Sequence, residues 1–217
     1  MKFIYIDAVN SGISGDMFIA GLLDLIENPD IIIKKLEALS NYLAGVSKLE
    51  IELKKKKKSG ILVNQIDINL KETKSHRNAH SLTSALNNFM KDNNIAEPAI
   101  KYANQVLNSL IQAEAEIHGK KMDKIHLHEL SSVDTLLDIC GTAILLDNLG
   151  YFNNNLRIYS SALPLGGGTI NTAHGIFAEV KRRFLVQFLS SQSTRLRPLT
   201  SWPFLKIVPG LTSITAA

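Results

Sequence analysis

A mixed α/β fold, with a sheet covered by helices, is predicted by three features of the 217-residue chain. The apolar run "FIYIDA" is punctuated by "SGISGD" and followed by a helical pattern, so the chain opens with a strand, a Gly-rich loop and a helix. Two alternating stretches flank Ser59-Gly60 and read as a hairpin. Three longer segments carry apolar residues at helical spacing. The resulting order of strand, helices, hairpin, helices and strands is mixed rather than strictly alternating. With 45% hydrophobic residues the chain is long enough to bury a core without staples.

The first helix is "MFIAGLLDLIE". A second follows Asn28-Pro29, with Asp30 capping "IIIKKLEALSNYLAG" and Gly45 ending it. In the hairpin, Leu49, Ile51 and Leu53 alternate, and so do Val63, Ile66 and Ile68 with one slip, which points to a bulge or a shifted register. Lysines 54–58 read either as a phosphate-binding patch or as a solvated strand end that blunts edge pairing; the second reading is favoured. Helices are expected over 81–91 and 97–118, the latter with Pro98 in its first turn and a buried stripe of Ile100, Ala103, Val106, Leu107, Leu110, Ile111 and Ala115. A last helix runs from about Ser132 to Leu149, closed by Gly150, with Cys140 as a core thiol. "LRIYSSAL" reads as a strand, "PLGGGT" as a tight loop and "TINTAHGIFA" as a second extended piece.

Basic residues outnumber acidic ones 24 to 20, but unevenly. Residues 179–217 hold Lys181, Arg182, Arg183, Arg195, Arg197 and Lys206 against Glu179, leaving 18 basic and 19 acidic side chains elsewhere. The basic excess therefore belongs to the tail and gives the rest of the chain no nucleic-acid signature. We expect residues 1–178 to form one unit and 179–217 an atypical basic tail, out of frame or partly disordered. The few apolar residues before Asp7 fall short of a secretory leader, and no apolar run reaches membrane-spanning length. A lone Cys140 makes no internal disulfide. A cytoplasmic protein is the expectation.

The chemistry concentrates in "KIHLHELSSVDT". In extended backbone the side-chain period is two, so His126 and His128 point the same way, whereas on a helix they diverge. Imidazoles with a neighbouring carboxylate, Glu129, suit zinc, nickel, iron or manganese. The helical zinc-protease spacing is absent, because Ser132 stands four positions after His128. Spacing alone leaves a surface loop or a satisfied polar network equally open. Asp134 and Asp138, four apart, share a helix face; each either orients a ligand from behind or, for Asp134, favours the helix N-terminus. "SGISGDM" sets Ser11, Gly12, Ser14 and Gly15 between a strand and a helix N-terminus, the arrangement that holds a phosphate or carboxylate on backbone N–H groups. It is neither a Walker A loop nor a Gly-x-Ser-x-Gly elbow. Asp16 either caps the helix or holds a cation beside a bound phosphate. His76, His80, His118 and His174 are scattered, and each alone reads as a surface or polar-core residue.

Taken in order, "SGISGDM", "SHR" at 75–77, "AEAEIHG" at 113–119, "HLHELSSVD" at 126–134, "PLGGGT" and "AHG" at 173–175 resemble the N-terminal region of the LarC family over about residues 1–178. The resemblance implies insertion of nickel into pyridinium-3,5-bisthiocarboxylic acid mononucleotide during maturation of the nickel-pincer cofactor, a CTP-dependent cyclometallation of the lyase class assisted by Mn(II) or Mg(II). By position it implies metal ligation by His126, His128 and Glu129, catalytic roles for Asp16, Glu129 and Asp134, and cofactor binding by Ser11, Gly12, Ser14 and Gly15. The family's glycine after the His-x-His-Glu motif is Ser131 here. The family continues into a C-terminal domain associated with nucleotide use and assembly, absent from this chain. A separately encoded C-terminal half and a homo-oligomer when complete are therefore expected partners, with no membrane and no nucleic acid. Two other readings stay open: a metal-dependent hydrolase of a small phosphorylated substrate, and a basic-tailed binding module.

Overall fold

The computed structural model describes residues 2–9, 12–58, 60–73, 77–120, 122, 125–127, 132–162, 169–172 and 175–178. Strand β1 (Lys2–Ile6) pairs in parallel with β6 (Leu156–Ser160). Alternation buries Ile4 and Ile6 of β1 and Leu156 and Ile158 of β6 on one face, as a period of two requires. The ladder is extended by the Ser161 N–H donating to the Ile6 carbonyl at 2.9 Å, and the Ala8 N–H donating to Ser161 Oγ at 2.8 Å.

Helix α1 (Gly15–Leu23) begins two residues before the expected Met17, with Ser14 as extended N-cap, and buries Phe18, Ile19, Leu22 and Leu23. Helix α2 (Pro29–Glu37) is capped by Asn28 with Pro29 in its first turn, so Asp30 lies inside the helix rather than at its cap. It also stops well before Gly45. The Ser40 hydroxyl donates to the Glu37 carbonyl at 2.8 Å, and the Glu37 carboxylate accepts the Ile51 N–H at 2.9 Å. Those bonds draw the chain into a 3-10 turn over Ala38–Asn41. Gly45 then takes φ +85, a left-handed turn open to glycine, and hands the chain to the hairpin.

Strands β2 (Val46–Lys58) and β3 (Ile61–Glu72) form an antiparallel hairpin. Leu49, Ile51 and Leu53 sit opposite Leu70, Ile68 and Ile66, a continuous apolar seam on one face. The slip at Val63 is no bulge: pairing is regular from Ile61 to Leu70, and Val63 sits opposite Lys56 on the outer face. The one register irregularity falls between Val46 and Lys48.

After the two-residue strand β4 (Arg77–Asn78), helix α3 (Ala79–Asp92) starts from Asn78, whose side chain accepts the Ser81 N–H at 2.8 Å. Helix α4 (Glu97–Ile117) packs against α3, and Asn87 and Asn104 exchange hydrogen bonds of 3.1 and 2.8 Å across the pair. Its expected stripe is buried from Ile100 to Ala115, with Leu110 half-buried. Helix α5 (Val133–Asn148) is apolar nearly all round and is packed by α1, α2, α3 and α4, so it is the axis of the core. Gly141 allows this crowding, since a Cβ there meets Ile19 Cδ1 at 2.9 Å and Leu36 Cδ1 at 3.3 Å. Cys140 is fully buried among these residues, and burial raises its thiol pKa, consistent with a packing role.

The remaining described strands are β5 (His126–Leu127), antiparallel to β4, and β7 (Thr169–Thr172) with β8 (Gly175–Ala178), which turn "TINTAHGIFA" into a hairpin. The class is mixed α/β, as expected, and the described strands pair two by two. No helix among the described residues is long and apolar enough to cross a membrane.

Candidate functional site

The site grows from two helix N-termini. On α5, Ser132 is the N-cap, and its Oγ accepts the Asp134 N–H at 3.2 Å. The same hydroxyl donates to Glu72 at the end of β3. Glu72 in turn accepts from Arg77 Nη1 at 2.8 Å, and Arg77 Nη2 donates to the Ala44 carbonyl at 3.1 Å. Arg77 is buried, so this ion pair is held in a fixed geometry rather than as a loose surface contact. Arg77 is also the register partner of Leu127. The network thus ties the end of the β2–β3 hairpin, the His126 strand and the start of α5 into one neighbourhood.

On α1, the Ser14 hydroxyl donates to Asp16, and Asp16 Oδ1 accepts the Met17 N–H at 2.8 Å. Asp16 therefore sits in the first turn, where its charge suits the helix dipole, and does not occupy the cap. Gly12 takes φ +73, and its N–H donates to the Ala8 carbonyl at 3.0 Å. That amide is engaged within the loop, which removes it from the anion cradle the sequence predicts.

The two N-termini meet at Gly15. A Cβ at this position would overlap the Asp138 carboxyl group, so glycine lets α1 pass α5 here without displacing that side chain. Asp138 Oδ1 is buried with no hydrogen-bond partner among the described residues. Burial first, then repulsion from Asp134 and Asp16, pushes its pKa up to about 7. Asp134 is exposed overall, yet partial desolvation of its carboxyl and then repulsion from Asp16 and Glu72 raise its pKa as well. The result is a cluster of carboxylates in which Asp138 is poised to take a proton near neutrality.

The histidines complete the picture only in part. The His126 backbone is extended and paired with Asn78, the conformation in which a His-x-His pair shares a face. Ser11, His128, Glu129 and Ser131 lie outside the described residues, as do Ser75, His76, "PLGGG", His174 and all of 179–217. Among the described residues, no three His, Cys, Asp or Glu side chains converge closely enough to hold a metal ion. His118 pairs at 3.2 Å with Glu114 on its own helix, and His80 is exposed on α3. Lys54 bonds Glu52 at 2.8 Å and Asp67 at 3.0 Å, holding the Asp67 carboxyl below its ordinary range, while Lys55 to Lys58 are exposed. Ten residues of strand, about 33 Å, separate this lysine tip from Glu72, so the two features do not share one small ligand.

Sequence reasoning missed Glu72, met Arg77 only inside the "SHR" motif without giving it a role, and left Asp138 undecided. Residues 4–179 match the family model described as nickel insertion protein. The chain belongs to the nickel insertion protein family. Among relatives, the pyridinium-3,5-bisthiocarboxylic acid mononucleotide nickel insertion protein of Staphylococcus epidermidis is 35% identical over 177 residues, covering 81% of this chain and 41% of the relative. A putative nickel insertion protein of Dictyoglomus thermophilum is 35% identical over 175 residues, 81% of this chain and 42% of its own length. The Geobacillus kaustophilus pyridinium-3,5-bisthiocarboxylic acid mononucleotide nickel insertion protein is 33% identical over 187 residues, with shares of 82% and 42%. The chain of this nickel insertion family member thus spans about two-fifths of the length of the curated relatives it matches. No solved structure matches it.

Proposed function

We propose that this chain carries the nickel-handling part of a protein that inserts nickel into pyridinium-3,5-bisthiocarboxylic acid mononucleotide during maturation of the nickel-pincer cofactor. The observation that carries the reading is the family match over residues 4–179. The acids Asp16, Asp134 and Asp138, linked through Ser132, Glu72 and Arg77 to the strand that bears His126, add chemical support. In this reading His126, His128 and Glu129 hold Ni(II), and the softer thiocarboxylate sulfurs of the substrate draw it away from imidazole and carboxylate donors. Forming the nickel–carbon bond releases the proton of the ring carbon. A carboxylate whose pKa stands near 7, as that of Asp138 does, has a proton affinity matched to receiving it at neutral pH. Asp16 and Asp134 keep that proton affinity high by repulsion, and the loop around Ser11, Gly12, Ser14 and Gly15 borders the phosphate of the mononucleotide, with the Gly12 amide turned to the Ala8 carbonyl rather than to the ligand.

CTP with Mn(II) or Mg(II) belongs, on this proposal, to the complete protein, whose further sequence completes a cytoplasmic lyase in trans or in a longer chain. The family match ends where the basic tail begins, which supports a functional unit of 1–178 and a tail outside it. The test is nickel stoichiometry. Purified chain equilibrated with Ni(II) and gel-filtered retains about one equivalent, and the His126→Ala/His128→Ala variant loses most of it. Unchanged stoichiometry in the double variant refutes the reading. Phosphatase turnover with manganese alone, and no retention of nickel, would instead favour a hydrolase of a small phosphorylated substrate.

A further inference from the structure

The β1–β6 ladder has one face in the core and carries exposed aromatic side chains on the other. Ile4, Ile6, Leu156 and Ile158 point inward, while Phe3 and Tyr5 stand outward at 50% and 41% exposure. Register places Phe3 beside exposed Arg157 and Tyr5 beside half-buried Tyr159, so three aromatic rings share the outer face. Val9, just past the strand, is 52% exposed. Parallel strands are normally buried on both faces, and an apolar aromatic surface left in water forfeits the burial that stabilises such a ladder.

We propose that this outer face is a docking surface for an amphipathic helix from the part of the family's sequence that this chain does not match. Three observations select that occupant. The relatives carry more than half of their length beyond the matched region, since the match covers 41% and 42% of them. The patch has the size of one helix: five residues of strand span about 17 Å, the length of a helix of about eleven residues, or three turns. Its charge selects the partner's: exposed Lys2 and Arg157 rim the patch, so a helix with acidic flanks is attracted. The occupant is therefore a helix with an apolar stripe over Phe3, Tyr5 and Tyr159 and a carboxylate opposite Arg157. This inference rests on family membership and not on nickel chemistry, so loss of nickel binding in the histidine variants leaves it standing.

The experiment co-expresses the full 217-residue chain with the portion of the Staphylococcus epidermidis relative outside its matched 177 residues, and reads complex formation by native mass spectrometry and titration. A one-to-one complex is expected. The Phe3→Glu/Tyr5→Glu variant, checked for folding by circular dichroism, weakens it about thirtyfold or more, the loss typical of a central aromatic anchor. The Ile61→Glu/Leu62→Glu variant, on the exposed hairpin tip, leaves it unchanged. Hydroxyl-radical footprinting of the isolated chain labels Tyr5 readily. No complex, a complex indifferent to Phe3 and Tyr5, or Tyr5 already protected in the isolated chain by a second copy or by residues 179–217, overturns the proposal.

Discussion

Replacing Asp138 by Asn probes the acidic cluster without changing its shape. In the folded chain the Asp138 carboxyl is shifted from 3.8 to about 7. Three pKa units at about 1.36 kcal/mol each mean that holding the charged form costs the fold about 4 kcal/mol above pH 7. The sign follows from proton counting. Between about pH 4 and 7 the folded chain keeps a proton on Asp138 that the unfolded chain has released, so stability falls as pH rises through that window and is lowest above it. Asparagine has no charge to hold but leaves its amide in a position where Oδ1 has no partner among the described residues, which offsets about 1–2 kcal/mol of the gain. The expected net gain for Asp138→Asn is about 2–3 kcal/mol at pH 8 in metal-free protein, a rise in Tm of about 5–10 °C. Below pH 4 no gain is expected. Urea denaturation at pH 8 and pH 4 measures both. An equal effect at the two pH values, or a loss at pH 8, would refute the argument that Asp138 is held by burial and by its acidic neighbours.

Two further substitutions test the packing that builds the site. Gly15→Ala forces a methyl against the Asp138 carboxyl and is expected to cost about 1–3 kcal/mol by chemical denaturation; in an Asp138→Ala background the cost falls below about 0.5 kcal/mol, and additive effects would dissolve the link between the two positions. Arg77→Met removes the partner of Glu72 and the bond to the Ala44 carbonyl, and is expected to cost about 3–5 kcal/mol, with Glu72→Met/Arg77→Met recovering part of it. A loss below about 1 kcal/mol in the single variant would mean that the ion pair does not hold the hairpin to α5.

Local signals in the sequence carried the helices and the hairpin. The α4 stripe, the start of α5 at Ser132 and the turn at Ser59-Gly60 all follow from spacing and turn residues within a few positions. Where a distant partner decides, spacing falls silent. Asp30 looks like a helix cap until Pro29 fixes the first turn one residue earlier, and the long second helix gives way to a 3-10 turn after Glu37, whose carboxylate accepts the Ile51 N–H of another element. The parallel pairing of β1 with β6 joins segments some 150 residues apart, as does the Ser161 bond to Ala8. At the site, the pairing of Asp134 with Asp138 was legible as an i, i+4 spacing. The position of Gly15 against Asp138, and the chain from Ser132 through Glu72 to Arg77, were not, because each contact closes between residues that share no local pattern.

The central claim is that the imidazoles of the His126-Leu127-His128 segment hold nickel. X-ray absorption at the nickel K-edge on the loaded chain tests it directly, because imidazole rings give multiple-scattering features that oxygen donors do not. Two imidazoles per nickel are expected in the unaltered chain, with both features absent in the His126→Ala/His128→Ala variant. A spectrum of oxygen donors alone, or one that the double substitution leaves unchanged, would contradict the assignment.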